Sequence, residues 1–143
     1  MAFQFRLEKI LRYREQLEED AKIRFAQAET KVQAAQNKRD ALANDLELAR
    51  KKAQENPLMT AAEFWVSDQY QRGLEYDLNA AELELKLALQ VKEEAQKMLT
   101  ERAIEKKMLV KLKERQQTVW NHEEKRHEQL FNDEIATVRY KKN

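Results

Sequence analysis

The sequence predicts an all-α protein, a long antiparallel two-helix coiled-coil hairpin whose C-terminal helix overhangs its partner. Three observations carry that expectation. The 143 residues include only one glycine and one proline, so the chain has almost no means of reversing direction. Apolar residues recur three and four apart along most of its length, the spacing of a helix that buries a narrow stripe against a second helix. One break, Asn56-Pro57-Leu58-Met59-Thr60, interrupts that pattern. The expected organisation is a single hairpin over residues 1–143, with a helix over about 4–55, a break at 56–60 and a helix over about 61–138.

The first helix carries the stripe Leu7, Ile10, Arg14, Leu17, Ala21, Phe25, Ala28, Val32 and Ala35, continuing through Arg39, Leu42, Leu46, Ala49 and Ala53. Two successive four-residue steps, Leu17 to Ala21 to Phe25, read as one stutter in a heptad pattern. Pro57 lacks a backbone N–H and disfavours helix at Asn56, which ends this helix near Gln54 or Glu55. Thr60-Ala61-Ala62-Glu63 then has the form of a capping box and starts the second helix. Its stripe is Leu74, Leu78, Ala81, Leu85, Ala88, Val91, Ala95, Met98, Arg102, Leu109, Leu112, Val119 and Trp120, with Lys106 and Gln116 at points where apolar residues are expected. Between Leu83 and Leu89 apolar residues cover more than one face, and Gly73 falls inside a helical pattern where it costs about 1 kcal/mol. Helices of roughly 75–80 Å and 115 Å follow from 1.5 Å per residue, so the segment from about Lys113 onward overhangs.

Charge divides unevenly. Residues 1–56 hold 12 basic and 10 acidic side chains, residues 57–100 hold 4 and 8, and residues 101–143 hold 11 and 8. In a hairpin the two terminal portions form a basic end, and the strand returning from the turn is acidic. Unlike ends suit different partners.

The residue types exclude several kinds of chemistry. A two-helix hairpin offers no water-poor pocket for catalysis, so no enzyme is expected. One glycine rules out a phosphate-binding loop or a nucleophile elbow, and the absence of cysteine rules out disulfides and thiol chemistry. His122 and His127 lie five apart, about 140° around a helix, so they do not form the i, i+4 pair that holds zinc. No cofactor or metal is expected. Lysines and arginines are interleaved with acids, which argues against nucleic acid, and no helix joins a basic face to a broad apolar one. No apolar run reaches the ~18–20 residues needed to span a bilayer, and the first residues do not form a signal peptide. A cytoplasmic protein that binds other proteins is the expectation.

Aromatic residues mark where it would bind. Phe64, Trp65 and Tyr70 cluster just after the break. Neighbours on a helix point about 100° apart, so two helices cannot cover all three, and these are residue types that dominate binding hot spots. Phe3 and Phe5, with Trp120, Phe131 and Tyr140, form a second cluster toward the termini.

The run Phe3-Gln4-Phe5-Arg6-Leu7-Glu8-Lys9-Ile10-Leu11-Arg12-Tyr13-Arg14 resembles the opening of the flagellar FliJ family, in which an F-x-F-x-L-x-x-[VIL]-L-x-x-R pattern is frequent. The likeness extends to Ala28-Glu29 and returns at Lys111-Leu112-Lys113-Glu114-Arg115, Glu123-Glu124 and Asp133-Glu134-Ile135-Ala136. It implies a component of the bacterial flagellar type III export apparatus, at the cytoplasmic face of the inner membrane. The implied form is an antiparallel hairpin similar to a rotary ATPase stalk, monomeric on its own. Its implied partners are the export ATPase hexamer, the cytoplasmic domain of the export gate, and export chaperones. On this chain the paired termini, with Phe3, Phe5, Leu7, Leu11, Trp120 and Phe131, would enter the ATPase ring. Leu42, Leu46, Phe64, Trp65, Tyr70 and Leu74 would face the gate. The stalk protein of a virulence-type secretion system, a rotary ATPase stalk subunit and a generic self-associating coiled coil are the alternatives.

Overall fold

The computed structural model describes residues 2–142, with no strand among them. Two long helices pack against each other: α1, Glu8–Glu55, and α2, Ala61–Lys142. Ahead of the helix Phe5 is buried, 7% exposed, and its carbonyl accepts the Glu8 N–H at 3.1 Å in a turn that leads into Glu8. Residues 3–7 lie outside the helix. The capping box forms as the sequence predicts. The Glu63 N–H donates to Thr60 Oγ1 at 3.2 Å, and the Thr60 N–H donates to Glu63 Oε2 at 3.4 Å. Gly73 lies inside α2, and a Cβ added there would meet nothing.

The chain divides into two compact units, residues 20–99 and residues 1–19 with 100–143. In the first, the core is the cluster Leu46, Ala49 and Leu74, with Leu42 and Leu78 packed against it. Cross-helix ion pairs Arg50–Glu75 (3.0 Å) and Lys38–Glu84 (3.3 Å) give the antiparallel sense: as one partner number falls the other rises. In the second unit Glu8–Lys113 (2.9 Å) and Glu18–Lys106 (3.0 Å) do the same.

The burial pattern corrects the predicted seam in two places on α1. Leu11 is 3% exposed while Ile10 is 46% exposed, and Glu18, not Leu17, is the most buried residue of its turn at 5%. Substituting Leu11 and Glu18 gives 7, 11, 14, 18, 21, 25, 28 and 32, continuing in alternating steps to 53. That heptad is unbroken, so the stutter is absent. On α2 the seam runs through Lys92 and Leu99 in place of the exposed Val91 and Met98, and Val119 is exposed. At Glu18 and Lys92 a charged residue with a long stem takes the seam position and its apolar neighbour turns outward. At Leu11 and Leu99 one of two adjacent apolar residues falls on the seam and the other faces out.

Candidate functional site

Among the described residues no cluster of three or more His or acidic side chains is arranged to hold a metal ion, and His122 and His127 are both exposed. No helix among them is long and apolar enough to cross a membrane. The fold presents exposed apolar side chains, and two groups of them include aromatic residues singled out in the sequence.

The first lies in the unit of residues 20–99. Phe64, Trp65 and Tyr70 are each more than half exposed. Phe64 also borders an open groove of about 560 Å³ with Ala53, Met59 and Gln71. Leu42, Leu46 and Leu74, expected in the same surface, instead belong to the core cluster or pack on it, so they hold the helices together. Part of this surface lies outside the residues expected from the sequence. A second heptad runs along the outward side of α2: Ala62, Val66, Gln69, Gly73, Tyr76, Ala80, Leu83 and Leu87, in alternating steps of four and three. Tyr76 is 76% exposed, and Val66, Leu83 and Leu87 are each more than half exposed. One flank of this stripe carries Glu63, Tyr70, Asp77 and Glu84, and the other Trp65, Arg72, Asn79 and Lys86. An apolar stripe bordered by an acidic row and a partly basic row is the pattern one helix presents to another. Its trace in the sequence was the spread of leucines between Leu83 and Leu89 over more than one face.

The second lies in the unit of residues 1–19 with 100–143. Phe3 stacks obliquely on Trp120, ring centres 6.1 Å apart and planes at 56°, an arrangement aromatic pairs favour. Together with Arg115, Gln116, Val119 and Glu123 they line an open depression of about 340 Å³. Leu11 is buried and Leu7 half-buried at seam positions, and Phe5 is buried just before the helix, so none of the three is free surface. Beyond Glu124 every residue whose burial is described is exposed, including Leu130, Phe131, Val138 and Tyr140. Phe131, Ile135 and Val138 follow steps of four and three, so α2 continues as an amphipathic helix with its apolar side uncovered.

Comparison with known proteins supplies one relationship. The family model described as Flagellar FliJ protein matches residues 3–143. No curated protein matches the chain, and no solved structure does.

Proposed function

We propose a function from one premise: this chain belongs to the flagellar FliJ family, whose model spans it from residue 3 to residue 143. Membership makes it a component of flagellar protein export. Within that apparatus we assign it a binding role without catalysis, as a stalk-like partner of the export ATPase hexamer. It would join that ring to the cytoplasmic domain of the export gate and receive export chaperones, at the cytoplasmic face of the inner membrane.

Two separate apolar surfaces support a protein that holds two partners. The surface of Phe3, Trp120 and the uncovered helix around Phe131 is assigned to the ATPase ring. Phe64, Trp65 and Tyr70, with the outward stripe of Tyr76, Leu83 and Leu87, are assigned to the gate. The single observation that carries this reading is the family match over nearly the whole chain. Affinity capture of the tagged protein from its native bacterium tests it. Recovery of the export ATPase or the gate's cytoplasmic domain is the expected result. Recovery of a virulence-type secretion ATPase, or of the protein alone, would overturn the flagellar assignment.

A further inference from the structure

The unit of residues 1–19 with 100–143 is paired differently from a leucine seam. By heptad spacing Leu11 lies across from Leu109, Arg14 from Lys106, and Glu18 from Arg102. Two consecutive layers of the seam are therefore charged. Three cations and Glu18 occupy them, and Glu105 closes the set from the flank. Arg14 donates to Glu105 at 2.7 Å, Arg102 donates to the same carboxylate at 3.2 Å, and Lys106 donates to Glu18 at 3.0 Å. Glu18 is 5% exposed, so its charge is tolerated only where a cation meets it. No buried side-chain nitrogen or oxygen among the described residues lacks a partner, so the set is complete as it stands.

A buried ion pair adds little net stability over apolar residues of the same size, but breaking one is costly. What such a layer supplies is choice among alignments. Slide α1 by one heptad in one direction, and Glu18 faces Leu109 while Ala21 faces Lys106. Slide it in the other, and Glu18 faces Ala95 while Leu11 faces Arg102. Either slip leaves charges facing apolar side chains. An all-leucine seam would penalise neither alignment in this way.

We infer that Arg14, Glu18, Arg102, Glu105 and Lys106 form a register key, which fixes the alignment of α1 on α2 in the part of the chain furthest in sequence from the turn. The key has a consequence for binding. Phe3 meets Trp120 only in the observed alignment, and a one-heptad slip takes that aromatic patch apart. These five are positioning residues for the surface assigned above to the ATPase ring. The key itself stands or falls without that assignment.

The chain has no cysteine, so introduced pairs report alignment without background. Cysteines at Glu8 and Lys113 read the observed register, and cysteines at Glu8 and Trp120 read a one-heptad slip. On oxidation of the otherwise unaltered full chain, the first pair is expected to close and the second to stay open. With Arg14, Glu18, Arg102 and Lys106 all replaced by Leu, the slipped pair is expected to close at least about tenfold more than before. Those replacements keep the seam apolar, so loss of folding does not obscure the reading. If the leucine variant closes only the Glu8–Lys113 pair, the turn alone sets the register and the inference is overturned. Charge reversal gives an independent check. Glu18→Lys is expected to slow closure of the Glu8–Lys113 pair, and adding Lys106→Glu to restore it. No change with Glu18→Lys would also overturn the key.

Discussion

At the scale of single residues, Gly73 is the position whose identity the chain's own packing does not explain. It lies within α2, its backbone is not in the left-handed region, and a Cβ there would meet nothing. Gly73→Ala is therefore expected to stabilise the protein by about 0.5–1 kcal/mol, read as a higher denaturation midpoint. Destabilisation would show that the helix is strained there in a way the structure does not reveal. Leu46 makes the opposite case. It is one of three residues in the buried cluster, and Leu46→Ala is expected to cost about 2–3 kcal/mol, because the cluster is small and partly open to water. A loss under about 1 kcal/mol would mean that the cluster does not hold this unit together. The cap at Thr60 was legible in the sequence because its chemistry is confined to four consecutive residues. Glu18 was not. Its place in the seam depends on Lys106, 88 residues away along the chain, and a local reading prefers the apolar Leu17 beside it.

At the scale of the helices, α2 has two apolar stripes where a hairpin needs one. The inward stripe was legible because leucine and alanine recur at seam spacing; its error at Val91, beside Lys92, repeats the Leu17 error, and at Met98 two adjacent apolar residues left the choice open. The outward stripe was hidden because two interleaved heptads look like general apolarity until burial separates them. Tyr70 was expected to act with Leu74, but the structure divides their roles. Leu74 is buried and Tyr70 is exposed. Leu74→Ala is therefore expected to lower stability by about 2 kcal/mol or more. Tyr76→Ala combined with Leu83→Ala is expected to shift stability by no more than about 0.5 kcal/mol per site. The same pair should weaken binding to the gate's cytoplasmic domain at least about tenfold, since exposed aromatic and leucine side chains gain most of their burial on association. Calorimetric titration against that domain checks it. Unchanged affinity with unchanged helicity would remove the outward stripe from the gate surface.

At the scale of the whole molecule, the distribution of burial separates what folds the chain from what it offers to others. Among the described residues, every one in the buried apolar core lies between Phe5 and Ala81, whereas none beyond Glu124 is buried. The hairpin buries its seam within one chain, so light scattering is expected to return a monomer. Residues 125–141 include none of the buried core. Truncation after Glu124 should therefore leave the denaturation midpoint within about 0.5 kcal/mol of the full chain. If the uncovered face of Phe131, Ile135 and Val138 seats in the export ATPase, the same truncation should abolish or sharply weaken capture of that ATPase. Binding to the gate domain should be kept, because that surface belongs to residues 20–99. The Tyr76→Ala, Leu83→Ala pair should give the mirror result, losing the gate and keeping the ATPase. Two variants of equal stability that each lose a different partner would establish two separable docking surfaces on one chain. If either variant lost both partners, the surfaces would be coupled, and the assignment of one partner to each would fall.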